Sequence, residues 1–271
     1  MRIALGVSYG GQGYRGWQSQ PGGNTVQDHL EAALARFATQ PIHTVCAGRT
    51  DAGVHGLMQV VHFDTAIERT PFSWVRGVNA FLPPDIAVQW ARPVSEAFHS
   101  RASAVARRYV YVLLQSPVRP SVEAGRVGWV FRPLDEDALN QAATHLLGVH
   151  DFTSFRASAC QAISPVKDLR RLAIGRSVPR ASAAGEMASC YWRFEFEANA
   201  FLHHMIRNIM GTLVTIGQGT RPPGWMAEVL AARSRDAAAP TFAPDGLYFQ
   251  GPVYEDRWAL PAAAAAYDWL P

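Results

Sequence analysis

The chain is almost without lysine: Lys167 is the only one among 25 basic residues, the rest being arginine. Cysteine is scarce too. Cys46, Cys160 and Cys190 are odd in number, widely spaced and form no CxxC pair, which argues against a disulfide framework or a thiolate zinc site and for reduced thiols. No run approaches the roughly 18 apolar residues of a membrane span. The opening MRIALGVSYGG turns glycine-rich before it could form the core of a signal peptide. The expectation is a soluble, cytoplasmic protein with no membrane partner. There is no GxxxxGK[ST] phosphate loop, and none of the nine histidines lies in HExxH or at ligand spacing from a cysteine. No metal and no nucleotide cofactor are therefore expected.

What is present is ample apolar material. The 271 residues are 48% hydrophobic and 17% charged, enough for one large domain or two small ones and too apolar for wholesale disorder. Net charge is only +3, too small to announce a nucleic-acid partner by itself. Its distribution says more. Residues 101–133 hold six arginines against Glu123, residues 156–193 hold seven basic residues against two acids, and from Asp236 onward five acids face Arg257 alone. A basic belt through the middle of the chain suits phosphate contacts, although clustering alone describes a solvated charged face equally well.

Apolar periodicity organises the chain into two sets of elements. Residues Ile3, Leu5, Val7 and Tyr9 alternate as a strand. After a glycine-rich loop, Asn24 is placed to cap a helix whose buried stripe is Val26, Leu30, Leu34 and Phe37. Strands are predicted at His43 to Ala47, Met58 to Asp64 and Ile86 to Arg92, with a short helix from Ser73 to Phe81. The second set comprises strand Arg107 to Gln115, helix Leu134 to Leu147, strands Val166 to Arg176 and Ala188 to Glu197, and helix Phe201 to Ile216. Ala181 to Gly185 reads as a hairpin tip and Ala262 to Ala266 as a surface tail. The predicted fold class is α+β: two similar ferredoxin-like (RRM-like) halves, residues 1–105 and 106–271, each an antiparallel sheet backed by helices. Together they would form an extended mixed sheet with an active-site cleft between them.

Three motifs carry chemistry. Gly11-Gln-Gly-Tyr-Arg-Gly16 matches GxGxxG and follows a strand, which raises a nicotinamide-dependent oxidoreductase. That fingerprint needs a helix opening at the glycines to hold the pyrophosphate, and here the helix waits until after Pro21-Gly22-Gly23. Gly48-Arg-Thr-Asp-Ala-Gly-Val-His-Gly56 packs three glycines around one acid, Asp51, with Arg49 and His55 beside it. An aspartate in such a loop ordinarily only caps a turn; the guanidinium and the close-approach backbone make Asp51 a candidate for chemistry. On the helix predicted from Phe201, His203 and His204 would point about 100° apart, a poor arrangement for sharing one ion. Arg207 would lie beside the apolar face and require an anion, for which Asp51 is the candidate.

Several longer blocks together resemble the tRNA pseudouridine synthase A family, over nearly the whole chain. They run from Tyr9-Gly-Gly-Gln-Gly-Tyr-Arg-Gly-Trp-Gln18 through Cys46-Ala-Gly-Arg-Thr-Asp-Ala-Gly-Val-His-Gly56, Gly77-Val-Asn-Ala-Phe-Leu-Pro83 and Ala106-Arg-Arg-Tyr-Val-Tyr111. Asp151-Phe-Thr-Ser-Phe-Arg-Ala157, Asn199-Ala-Phe-Leu-His-His-Met-Ile-Arg-Asn208 and Gly246-Leu-Tyr-Phe249 complete the set. The family's usual Tyr-Asp-Gly opening is Tyr9-Gly10-Gly11 here, so contacts of that aspartate do not carry over. The resemblance implies a cofactor-free isomerase that converts uridine to pseudouridine at positions 38, 39 and 40 of the tRNA anticodon stem-loop, working as a homodimer with a basic cleft. It implies Asp51 as the catalytic aspartate, Tyr109 as the aromatic stacking on the target base and Arg207 as the partner of Asp51. It implies RNA contacts at Arg49, Arg69, Phe98, His99, Arg101 and Gln161. A non-catalytic RNA-binding protein on the same scaffold is the alternative, and it has no need of Asp51, Tyr109 and Arg207 together.

Overall fold

The computed structural model describes residues 1–182 and 185–261. These form two compact units: Met1–Tyr109 with the segment from Tyr248 onward, and Val110–Leu247. The tip of the expected hairpin, residues 183–184, and the expected tail at Ala262 to Ala266 lie outside the described residues.

The first unit contains β1 (Arg2–Tyr9), α1 (Val26–Ala38), β2 (Val45–Cys46), β3 (His55–Asp64), α2 (Pro71–Asn79), β4 (Ile86–Val94) and the start of β5 (Ala104–Gln115). β1 is central, pairing antiparallel with β3 (Leu5 opposite Val61) and with β4 (Leu5 opposite Ala91). The expected alternation holds: Ile3, Leu5 and Val7 pack with Leu30 and Leu34 of α1 and Trp74 of α2. The other face of β1 and β3 is buried too, because Ala4, Val60, Ala47 and Phe98 pack with Tyr254, Trp258 and Leu260. The cap of α1 is Thr25 rather than Asn24, which adopts a left-handed φ of 58°. Thr25 Oγ1 accepts from the Asp28 N–H at 3.2 Å while the Asp28 carboxylate accepts from the Thr25 N–H at 3.1 Å, a reciprocal pair that Asn24 with Gln27 cannot make.

The second unit contains the rest of β5, β6 (Gly128–Val130), α3 (Glu136–Thr144), β7 (Gly148–Asp151), β8 (Val166–Arg176), β9 (Arg180–Ser182), β10 (Gly185–Ala198), α4 (Met205–Gly217) and α5 (Trp225–Ala232). Its strands run β5-β10-β8-β7, with β10 and β7 antiparallel to β8. α4 is largely buried and α3 packs on it. The expected helix from Phe201 starts four residues late. His204 occupies the cap position in the left-handed region, φ 61°, so Phe201 to His204 form a bent approach instead of a helical turn.

A last strand, β11 (Leu247–Tyr254), was not foreseen. It returns to the first unit and pairs parallel with β3, Tyr248 opposite His55 and Phe249 opposite Gly56, which makes that sheet mixed. Among the described residues no helix is long and apolar enough to cross a membrane.

Candidate active site

The loop carrying Asp51 joins β2 to β3, and its turn closes with the Val54 N–H donating to the Asp51 carbonyl at 3.1 Å, Gly53 taking φ 82°. Residues from the chain's opening hold it. The buried Tyr9 hydroxyl shares a 2.8 Å hydrogen bond with Thr50 Oγ1, and the Trp17 N–H donates to the Thr50 carbonyl at 3.0 Å. The Gly11 N–H donates to His55 Nδ1 at 3.1 Å, and the His55 ring stacks on Tyr248 with centroids 4.6 Å apart.

This contact explains the GxGxxG sequence. A Cβ on Gly11 would stand 2.0 Å from the Val54 carbonyl oxygen, and one on Gly16, whose φ is 85°, would stand 2.6 Å from that of Thr50. The glycines let one backbone approach another, with no phosphate involved. Gly11–Gly13 form a single 3-10 turn and α1 begins only at Val26, so no helix N-terminus is aimed at a pyrophosphate.

Asp51 is half-buried, and its charge reaches Tyr109 on β5. The Tyr109 ring is nearly enclosed and lies 4.9 Å from that of Phe249 on β11. Burial drives its phenol well above the ordinary range, Tyr9 and Asp51 push the same way, and Arg107 opposes them. The hydroxyl therefore stays protonated, able to donate a hydrogen bond but not to act as a resting base. Arg49 and Arg101 are exposed, and both act electrostatically on Cys46, whose thiol burial nonetheless pushes up to about 11. A thiol so protonated at neutral pH is no nucleophile. That leaves the Asp51 carboxylate, with the neutral phenol of Tyr109 within reach of its charge and the exposed Arg49 two residues before it in the loop.

Arg107, part of the basic belt, is half-buried rather than exposed. Its guanidinium turns inward to the carbonyls of Arg101 at 2.6 Å, Ala104 at 3.1 Å and Ala47 at 3.3 Å. In the second unit, Arg207 lies in the first turn of α4. Its Nε donates to the Phe242 carbonyl at 2.9 Å while the Phe242 N–H donates to the Arg207 carbonyl at 3.1 Å. The close approach is possible because α4 carries Gly211, where a Cβ would meet the Pro240 carbonyl at 2.1 Å.

Of the residues expected to face RNA, Arg49, Arg69, Arg101 and Gln161 are exposed and His99 is half-buried, its Nδ1 accepting from the Arg101 and Ala102 N–H groups at 3.2 Å. Phe98 is a correction. It is fully buried between Tyr254 and Trp258, with centroids 5.2 and 5.3 Å away, so it is a core residue that cannot touch RNA. The angular argument about His203 and His204 also fails. They precede α4, and their rings lie together with centroids 4.0 Å apart. Sequence reasoning missed the supporting roles of Tyr9, Thr50, His55, Tyr248 and Phe249. The blocks containing them were visible, but only the parallel pairing of β11 with β3 brings Tyr248 and Phe249 under the loop.

Known proteins resemble the chain over its length. A family model described as tRNA pseudouridine synthase matches residues 7–101 and 142–255. The tRNA pseudouridine synthases A of Paracidovorax citrulli and Acidovorax ebreus are each 75% identical to the chain, with the full length of both sequences covered. That of Methylibium petroleiphilum is 65% identical, again over both full lengths.

Proposed function

The chain belongs to the tRNA pseudouridine synthase family, and from that premise we propose that it isomerises uridines 38, 39 and 40 in the anticodon stem-loop of tRNA, with Asp51 as the catalytic carboxylate. Conversion of uridine to pseudouridine in tRNA is the family's reaction. The N1–C1′ bond breaks, a C5–C1′ bond forms, the C5 proton leaves to water and N1 gains a proton, so atoms balance without a cofactor. The target base has to leave its helix to expose C1′ and C5, and the reaction needs a site sheltered from water.

The observation that carries the reading is the pairing of Asp51, on a glycine-built turn, with the enclosed and protonated Tyr109 whose phenol feels its charge. The carboxylate can attack as a nucleophile or take a proton from the sugar. The tyrosine offers a ring to the base and a hydroxyl that donates a proton or a hydrogen bond. Arg207 is proposed as the guanidinium partner of Asp51. Arg49, Arg69, His99, Arg101 and Gln161 contact the RNA, and the enzyme works in the cytoplasm as a homodimer without a metal or cofactor.

The test is incubation with unmodified tRNA in the absence of any added cofactor, followed by carbodiimide-dependent reverse-transcription mapping. Stops at 38 to 40 that disappear with Asp51→Asn are expected. Turnover by Asp51→Asn at the wild-type rate would overturn the assignment, and tRNA binding without stops would leave a non-catalytic RNA-binding protein.

A further inference from the structure

β2 is only two residues long, and its ladder to β3 ends where the Ala47 N–H donates to the Val60 carbonyl at 2.9 Å. Beyond that point the chain diverges toward Asp51. The peptide groups around Gly48 have left the sheet while still in the interior, where unpaired backbone donors and acceptors are costly. The side chain of Gln59 meets them. Gln59 is completely buried on β3, opposite Val7 of β1. Its Oε1 accepts from the N–H groups of Ala47 at 3.2 Å and Gly48 at 3.3 Å, and its Nε2 donates to the Gly48 carbonyl in a short hydrogen bond. Further along the same strand as Val7, the Tyr9 hydroxyl separately holds Thr50 Oγ1 at 2.8 Å.

One primary amide thus does the work of an extra sheet residue, gripping the chain three positions before Asp51. Gly48 itself lies on the Phe249 ring, with the site of a Cβ 3.5 Å from it, so the grip also sets the height of the turn over the aromatic pair.

We propose that Gln59 is a positioning residue for catalysis: its side-chain amide, acting as a surrogate strand partner, fixes the Ala47–Gly48 segment and so the place from which Asp51 reacts. The proposal rests on the reading of Asp51 as the catalytic carboxylate. Displacing a reacting group by about 1 Å can cost on the order of 100-fold in rate. An exposed RNA contact would instead alter binding.

Two variants test it, each assayed by single-turnover kinetics with saturating enzyme and by tRNA affinity. Gln59→Met keeps the volume but neither hydrogen-bond type, and should lower the rate about 10- to 100-fold with tRNA affinity within about 2-fold. Gln59→Glu discriminates by pH. A neutral carboxylic acid offers one donor and one acceptor in the layout of the amide, whereas a carboxylate has no proton for the Gly48 carbonyl. Its rate relative to wild type should therefore be highest at the acid end of pH 6 to 9 and fall as the pH rises. Burial raises a carboxyl's pKa, which brings the transition toward this window.

A Gln59→Met rate within 2-fold of wild type would overturn the proposal, as would affinity lost in step with rate. Should Gln59→Met fail to fold, the Gln59→Glu ratio decides, and a ratio independent of pH overturns it. Asp51→Asn is run beside them: its activity would sink the reading of Asp51, whereas an inactive Asp51→Asn beside a fully active Gln59→Met would sink only the role of Gln59.

Discussion

Gly11→Ala tests the claim that the glycine-rich opening exists to seat the turn that carries Asp51. The added methyl would lie 2.0 Å from the Val54 carbonyl oxygen, against 3.4 Å for the near limit of ordinary contact, so the two backbones must part by roughly 1.4 Å. The three nearest atoms are all Val54 backbone, with no side-chain end able to swing away. Overpacking of this kind costs about 1–3 kcal/mol, and each kcal/mol lowers Tm by about 2–4 °C in a protein of this size. A functional cost of similar size accompanies it. Parting the strands stretches the Gly11 N–H to His55 bond and moves the turn that begins at Asp51, for which about 100-fold in rate is expected. The assay is release of tritium from tRNA labelled at uridine C5, with circular dichroism verifying the fold. Gly13→Ala is the control, since a Cβ there meets nothing within 4 Å and should leave the rate within about 2-fold. In a dinucleotide site the order would reverse, because the second glycine is where the pyrophosphate approaches. A folded Gly11→Ala enzyme with the wild-type rate would refute the packing argument.

Three further outcomes are expected. Tyr109→Phe keeps the ring against Phe249 and removes only the protonated hydroxyl, so a rate loss of about 100-fold or more with unchanged tRNA affinity assigns proton transfer to it, whereas full activity reduces it to a platform. Arg101→Ala should weaken tRNA binding and reduce the slope of log affinity against log salt by about one phosphate contact; an unchanged slope removes Arg101 from the backbone-contacting set. The buried imidazole of His62, which bonds Ser100, is lowered to about 4 by burial, with Arg2 and His99 adding to it and Asp64 opposing. A histidine depressed on folding is protonated first in the unfolded chain, so stability is lost as pH falls from about 6.5 toward 4. Thermal melts across that range should show His62→Gln with a flatter dependence than wild type.

The fold was legible where one period governed a whole element. β8 and the start of β1 fall where the alternation put them, and α1 buries Val26, Leu30 and Leu34 as its 3.6-residue stripe requires. What was hidden depended on partners remote in sequence. β11 is held by pairing with β3 nearly 200 residues earlier, and no local pattern marks it as a neighbour of the Asp51 loop. Phe98 was expected to face RNA only through the resemblance, with the run to Arg101, yet Tyr254 and Trp258 arrive from the far end of the chain to bury it. The start of α4 was misjudged because Phe201 and Leu202 extend the apolar stripe backward, while a left-handed His204 breaks the helix behind it. At the candidate site, Asp51 was marked as a candidate because charge and glycine coincide in one short block. Gln59 was not, since an uncharged amide within a strand announces nothing until its carbonyl and amino group are seen to face Gly48.

Gly10, where the resembling family carries aspartate, can be settled by geometry. Its φ of −83° and ψ of 112° are ordinary extended backbone, and a Cβ there would meet only the Asp85 Cβ, at a comfortable 3.8 Å. Glycine is therefore not required by conformation or space, unlike at Gly11 next to it. What an aspartate would meet is charge. Asp85 already accepts from the Tyr14 hydroxyl at 2.5 Å, and the Gly10 N–H already donates to the Asp85 carbonyl at 2.8 Å. A second carboxylate beside the first would raise one carboxyl pKa and compete for the same donor. The loop keeps its path with glycine at position 10 because its anchors are the Gly10 amide, Gly11 and Gly16, none of which uses a side chain at that position.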